Sequence, residues 1–231
     1  MEQLPMGMTL ELPEGVFPLS TDSMVLSHFC RGARGKRWLD LGSGGGTLGL
    51  LLCAEDPSRT VTGVELNAAA HEAALENIRR NALAVRMQSI CADLREVPSR
   101  FASGSFSVCV SNPPYFTGGP ASVRHPQARH EEQCSLSQLF ASVGWALKYG
   151  GDFFLVHKPD RLSEILLEGA KVGMEAKRLC LLRHREGGPI CLILLQMRKG
   201  AKPGLIWEEM ALEDGNGNPT QAFRDIYHIS D

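Results

Sequence analysis

Residues 111–115 read Ser-Asn-Pro-Pro-Tyr and follow directly on the apolar run Phe-Ser-Val-Cys-Val. An amino group conjugated to a ring or a carbonyl is a poor nucleophile, because its lone pair is delocalised into the neighbouring π system. Two acceptors aimed at its N–H bonds, the Asn112 side-chain oxygen and the Pro113 carbonyl, would hold the lone pair toward an electrophile and stabilise the positive charge that develops during attack. Pro113 and Pro114 stiffen the backbone that aims this carbonyl. Tyr115 offers a face for a planar substrate, and stacking a nucleobase on an aromatic ring is worth about 1–3 kcal/mol. A strand-ending turn would explain the prolines alone, since proline donates nothing to a β-ladder and restricts the residue before it. It leaves Asn112 and Tyr115 without a task.

A second group of residues has the composition of a nucleotide-type cofactor site. In Trp-Leu-Asp-Leu-Gly-Ser-Gly-Gly-Gly-Thr, residues 38–47, Asp40, Gly42, Gly44 and Gly46 precede a helix-like run. Glycines permit a tight strand-to-helix turn and close approach of backbone to a ligand. The dinucleotide fingerprint G-x-G-x-x-G would need glycine at position 47, where Thr47 stands, so the pattern disfavours NAD. Glu65 ends the next apolar run, where a carboxylate accepts both ribose hydroxyls of an adenosyl group. Asp93 ends the one after, placed to accept from an adenine amino group, with the Leu94 amide beside it. Each acid also has a plain structural reading: Asp40 as a turn cap, Glu65 as a charge at a helix N-terminus, Asp93 as a loop acid. Three acids at three successive strand ends favour the cofactor reading.

These groups need a scaffold that brings several strand ends to one edge. Apolar runs alternate with helix-length amphipathic segments, predicting strands near 36–41, 60–65, 85–91, 106–111, 152–157, 177–184 and 190–197. The segment from Ser135 carries Leu136, Leu139, Phe140, Val143 and Leu147 at helical spacing, with Gly150 as its stop signal. Only Gly187, Gly188 and Pro189 separate the last two runs, so the final strand should turn back antiparallel. The expected fold is α/β: a seven-stranded, mostly parallel sheet with an antiparallel last strand and helices on both faces. The whole chain reads as one domain, with 1–35 a segment closing over the cofactor, 36–199 the catalytic sheet and 200–231 a C-terminal arm.

Through Asp-Leu-Gly-Ser-Gly-Gly-Gly, Val-Glu-Leu-Asn and Asn-Pro-Pro-Tyr, the chain resembles the Rossmann-like class I S-adenosylmethionine-dependent amino-methyltransferases. Through blocks spread over nearly its whole length, among them FPLSTDSMVLSHF, ARHEEQCSL and VHKPDRLSEIL, it resembles the bacterial tRNA-1(Val) adenine N6-methyltransferase family. The resemblance implies S-adenosylmethionine held by Asp40, Gly42, Gly44, Gly46, Glu65, Leu66, Asp93, Leu94, Asn112 and Thr21, with Phe17 and Asp22 helping to close the pocket. It implies Asn112, Pro113, Pro114 and Tyr115 as the catalytic group, and Arg129 and His130 in a loop over the substrate. The implied reaction is methylation of an adenine N6 amino group in tRNA or another RNA. The same catalytic motif also occurs in N5-glutamine methyltransferases acting on release factors and in enzymes acting on other nucleic-acid amino groups. A cofactor-binding protein without catalysis is the reading from a different class.

Composition bounds the rest. With 231 residues, 43% hydrophobic and 22% charged, the chain is long enough for a substantial core, and no apolar run reaches the roughly 18 residues of a membrane span. An N-terminus carrying Glu2 and Pro5 lacks the pattern of a secretory signal, so a cytoplasmic location is expected. Seven cysteines, none within three residues of another, predict free buried thiols rather than a metal site or disulfides. The net charge of −2 hides an asymmetry: residues 171–202 carry eight basic and two acidic side chains, whereas 203–231 carry six acidic and only Arg224. The default reading of such a run is a solvated charged surface; with an RNA substrate, the basic stretch together with Arg124 and Arg129 would track the phosphates. His71 reads as a surface residue on its helix, and Lys158 and Arg161 as helix-start charges or phosphate ligands. Nothing in the sequence sets an oligomeric state.

Overall fold

The computed structural model describes residues 1–113 and 135–229. The expected strands form as β3 (Arg37–Leu41), β4 (Thr60–Glu65), β5 (Met87–Cys91), β6 (Phe106–Ser111), β7 (Leu147–His157), β8 (Met174–Arg185) and β9 (Ile190–Lys199). A short N-terminal pair, β1 (Glu2–Gln3) and β2 (Thr9–Leu10), precedes them, and β10 (Ile206–Glu213) follows. The main sheet has the order β10-β8-β9-β7-β6-β3-β4-β5. All its pairings are parallel except those of β9, which lies antiparallel between β7 and β8.

The central strands are apolar on both faces because helices cover both. Trp38, Val108, Val110, Phe154 and Val156 face one core with α1 (Thr21–Phe29) and α2 (Thr47–Glu55). Their neighbours Leu39, Leu41, Cys109, Phe153 and Leu155 face the other, with α5 (Leu136–Ala146) and α6 (Leu162–Lys171). The remaining helices are α3 (Ala68–Arg80), α4 (Val97–Arg100) and α7 (Gln221–Tyr227).

Two expectations change. Gly150 does not stop a helix: α5 ends at Ala146, Leu147 already pairs in β7, and Gly150 lies within that strand at φ 75°. It marks an irregularity where β7 shifts register against β6 between Phe106 and Val108, a place where glycine relieves the bend. The second change concerns residues after 199. They add β10 as an eighth strand, parallel to β8 at the sheet edge, and α7, whose Ile226 joins Leu212 in the α1-side core.

The charge asymmetry explains why β10 docks there. Arg178 pairs with Glu208 at 2.8 Å, Arg183 with Glu209 at 3.7 Å and Arg185 with Glu213 at 3.0 Å. Elsewhere in the basic stretch, Arg198 pairs with Asp152, Lys171 with Glu168, and the Lys177 and Lys199 ammonium groups donate to backbone carbonyls. What reads as a phosphate tract is largely an internal ladder holding the arm in register.

The N-terminal segment is fastened by two asparagines, Asn77 of α3 and Asn81 at its C-cap, that imitate a strand edge. Asn77, fully buried, accepts from the Glu11 amide at 2.9 Å and donates to the Glu11 and Gly45 carbonyls at 3.0 Å each. Asn81 accepts from the Thr9 amide at 2.8 Å and donates to the Thr9 carbonyl at 2.7 Å. Asn77→Ala removes the partner of three backbone groups, one buried at Gly45 and two partly buried at Glu11, a loss of about 3 kcal/mol. For a chain of this size that lowers Tm by roughly 6–12 °C, and cleavage within the first twelve residues under limited proteolysis should quicken. An unchanged Tm would show that the segment is held by its apolar contacts alone.

Candidate active site

Because β3, β4, β5 and β6 run parallel, their carboxyl ends share one edge, and strand order reverses between β3 and β6. Open α/β sheets bind ligands at such a switch point. The sequence places its glycine turn after β3 and its asparagine after β6, on the two sides of that crevice.

The turn requires glycine at three positions. Gly42, Gly44 and Gly46 have φ of 76°, 53° and 85°, the left-handed region that other residues avoid. A methyl group built on Gly42 or Gly44 would meet nothing within 4 Å, so open space faces the turn there. Gly46 instead caps α2 and lies close to Met87 and Ala74. Of the three acids, Asp40 is 2% exposed, and its Oδ2 and the buried Ser43 hydroxyl make no hydrogen bond. Glu65 holds the turn from the neighbouring strand. Its Oε2 accepts from the Gly44 amide and its Oε1 from the Asn67 amide, both at 2.7 Å. Leu66 beside it is 45% exposed. Asp93 caps the short turn after β5 and accepts from both the amide and the guanidinium of Arg95, which holds its carboxyl below the usual range. Leu94, half-buried, follows it.

Burial, followed by the charge of Glu65, pushes the Asp40 carboxyl up to about 8. An unfolded aspartate titrates near 3.9, so between roughly pH 4 and pH 8 the folded chain binds more protons than the unfolded one. Stability of the ligand-free protein therefore falls as pH rises through that window. Asp40→Asn removes this slope, and the variant's Tm advantage over the parent should grow from pH 5 to pH 8. Parallel Tm profiles would contradict a buried, protonated Asp40.

On the other side of the crevice, Ser111 donates to the Leu41 carbonyl at 2.7 Å and ties the end of β6 to the end of β3. Asn112 donates from Nδ2 to Ser23 Oγ at 3.0 Å. That bond commits Nδ2 to α1 and leaves Oδ1 as the end of the amide available to accept. Pro113 follows and is buried. Pro114, Tyr115, Arg124, Arg129 and His130 lie outside the described residues.

The first turn of α1 links Asn112 to the C-terminal arm. Thr21 and Asp22, two residues and one residue before Ser23, line a cavity of about 300 Å³ with Lys158, His184, Phe223 and Tyr227. Phe17 is 55% exposed nearby in sequence. His157 ends β7 fully buried, and Arg161 pairs with Glu164 at 2.6 Å, which favours the helix-start reading. His71 bonds through Nδ1 to Ser89 Oγ at 2.8 Å and so is more than a surface residue. Cys30, Cys53, Cys109 and Cys180 are buried thiols, Cys191 is half-buried, Cys91 is exposed, and Cys134 lies outside the described residues. Among the described residues no cluster of three or more His, Cys, Asp or Glu is arranged to hold a metal, and no helix is long and apolar enough to cross a membrane.

These features fit an adenosyl cofactor with a cationic centre. The orphaned Asp40 oxygen awaits a donor, the open face at Gly42 and Gly44 admits a ligand against the backbone, and each Glu65 oxygen keeps acceptor capacity beyond its one amide. Sequence reasoning did not reach Ser23, Ser43 or Ser111. Single serines carry no local signal, and their roles come from what the fold sets opposite them.

Comparison with known proteins gives the same assignment. Residues 19–173 match the methyltransferase small domain family. A tRNA1(Val) (adenine(37)-N6)-methyltransferase of Bacteroides fragilis is 30% identical over 74% of this chain and 73% of its own length. One from a Shewanella species is 26% identical over 88% of this chain and 87% of its own. Among solved structures, a predicted O-methyltransferase from Agrobacterium tumefaciens superposes with a TM-score of 0.73 at 21% identity, covering 90% of this chain and 96% of that one. A 16S rRNA N2 G1207 methyltransferase from T. thermophilus, in complex with AdoMet and guanosine, gives 0.57 at 24% identity, covering 80% of this chain and 45% of that one. With the glycine turn, the three strand-end acids and Asn112 on one edge of this sheet, the chain belongs to the methyltransferase small domain family and is a class I S-adenosylmethionine-dependent methyltransferase.

Proposed function

We propose that this methyltransferase modifies the N6 amino group of an adenine in tRNA. The carrying observation is the position of Asn112 across the crevice from the glycine turn, with Nδ2 committed to Ser23 and Oδ1 left to accept. The relatives' shared name makes adenine 37 of a valine tRNA the first acceptor to test. Asp40, Gly42, Gly44, Gly46, Glu65, Leu66, Asp93, Leu94, Asn112 and Thr21 are the residues we assign to the cofactor. When bound, S-adenosylmethionine supplies an electrophilic methyl group.

The chain's own residues then have separable tasks. Asn112 Oδ1 and the Pro113 carbonyl accept the two amino hydrogens, orient the lone pair and stabilise the charge the nitrogen gains. No strong base is required before attack, because the amino proton acidifies only as the bond forms. Tyr115 stacks on the adenine, and Arg129 and His130 cover it. A loop adenine is already partly unstacked, which lowers the cost of bringing it into a pocket. We place the protein in the cytoplasm, where tRNA is found.

The test is methyl transfer from labelled S-adenosylmethionine to tRNA from cells lacking the gene, followed by nucleoside analysis. Label in N6-methyladenosine is expected. Label that survives ribonuclease and resides in protein, or tRNA without N6-methyladenosine, would sink the assignment.

A further inference from the structure

The cavity at the first turn of α1 shares Thr21 and Asp22 with the cofactor side, and the wall that the C-terminal arm builds has no task in the reaction described above. Phe223 and Tyr227 stand one helical turn apart on α7, with ring centroids 4.5 Å apart and planes inclined by 30°. Both are half-buried, so part of each ring stays accessible. Lining the same cavity are Thr21 and Asp22 from α1, Lys158 immediately after β7, and His184 from β8. The wall is tied across: the Tyr227 hydroxyl lies 3.4 Å from Thr21 Oγ1. Ser23, which holds Asn112, is the next residue along from Asp22.

We infer that this cavity binds the nucleobase of a nucleotide adjacent to the target adenine, stacked on the Phe223–Tyr227 pair. The chemistry suits such an occupant. Aromatic faces accept any base, the Asp22 carboxylate accepts from an amino or imino edge as acidic side chains do with cytosine, and Lys158 lies within the same wall for the connecting phosphate. The volume of about 300 Å³ admits one base, not a folded RNA element. Asp22 in the cavity wall directly precedes Ser23, the residue bonded to Asn112, which ties the cavity to the reacting edge. The arm on β10 and α7 would thus contribute substrate selectivity, and the acidic ladder that docks it would serve that end. This rests on the RNA adenine reading given above.

The experiment uses the full chain and complete tRNA assembled with an abasic nucleotide either before or after the target adenine. One of the two abasic RNAs should raise the parent's KM about tenfold, the value of one stacked base. Tyr227→Ala should raise KM for intact tRNA by a similar factor, with no further penalty on that abasic RNA. Tyr227→Phe keeps the ring and should keep the parent's KM, while cooperative thermal unfolding reports that each variant is folded. Independent, multiplying penalties, or Tyr227→Phe as harmful as Tyr227→Ala, would overturn the inference while leaving the proposed function intact. A parent enzyme that makes no N6-methyladenosine in either tRNA would overturn the function itself, and this inference with it.

Discussion

Asn112→Ala is expected to lower kcat by about 10²–10³-fold, the usual effect of removing one group preorganised toward developing charge. Affinity for S-adenosylmethionine should change far less, by about threefold, because Asn112 is one of ten residues assigned to the cofactor but one of only two acceptors assigned to the amino group being methylated. The amide can do that work only in one orientation. Its Nδ2 donates to Ser23 Oγ at 3.0 Å, and a flip would present the wrong end to the substrate. Ser23→Ala leaves the amide in place without its anchor, so it should show a smaller loss in kcat, about tenfold, with the same insensitivity of cofactor binding. Ser23 acts through Asn112 and touches no reacting atom. The distinction between the two residues is therefore measurable: in the Asn112→Ala background, Ser23→Ala should add almost nothing, since the group it positions is gone. If kcat and cofactor affinity fell together in Asn112→Ala, the division of labour across the crevice would be wrong.

How the site could be read before its geometry was known depends on the range of the interactions. The glycine turn is written within five residues, because positive φ at 42, 44 and 46 is a local demand that only glycine meets cheaply. The strand ends are similarly local, since runs buried on both faces are apolar from end to end. Glu65 and Asn112 could be placed at one edge as soon as the parallel order was inferred. Contacts between distant segments were harder. Ser20 and Ser23 look like ordinary helix-start residues, and they are: Ser20 caps α1. Nothing nearby in sequence announces that Ser23 also meets Asn112, 89 positions away.

The C-terminal arm shows the same limit from another direction. Residues 203–231 are acidic and rich in turn-forming residues, the composition of a solvated tail. Residues 171–202 are basic, the composition of a polyanion site. Each reading treats its segment alone, whereas the two charges belong to adjacent parallel strands, with Arg178, Arg183 and Arg185 set against Glu208, Glu209 and Glu213. Such exposed pairs contribute little individually, about 0–1 kcal/mol. Their value is in register, because sliding β10 along β8 would oppose the wrong side chains. Burial of Leu212 and Ile226 supplies the stabilisation. A net charge of −2 leaves an RNA substrate to be held by local basic groups, of which Lys158 lines the cavity at the first turn of α1.

Glu65→Ala should do the reverse of Asn112→Ala, raising Kd for S-adenosylmethionine at least about 100-fold while kcat at saturating cofactor falls no more than about threefold. Hydrogen bonds to a charged group contribute about 1.5–3 kcal/mol each, and the two ribose hydroxyls would lose theirs together. Each tenfold in Kd corresponds to about 1.4 kcal/mol. Part of the loss has a second source, since the Gly44 and Asn67 amides both donate to this carboxylate at 2.7 Å. Without it the glycine turn loses the strut that joins it to β4. Glu65→Gln separates the sources poorly, for an amide must aim its NH2 at one of those two N–H groups and breaks the strut as well. A sharper comparison is Asn67→Gly, which keeps the Glu65 carboxylate and its backbone partners but removes the cap on α3 that Ala69 and Ala70 donate to. Replacing an Asn cap by Gly costs only roughly a few tenths of a kcal/mol of stability, so this variant should melt close to the parent and bind cofactor within a few-fold of it. If Asn67→Gly weakened cofactor binding as much as Glu65→Ala, the carboxylate would be only a brace for the helix and turn, and the ribose would have to find its acceptors elsewhere on the edge.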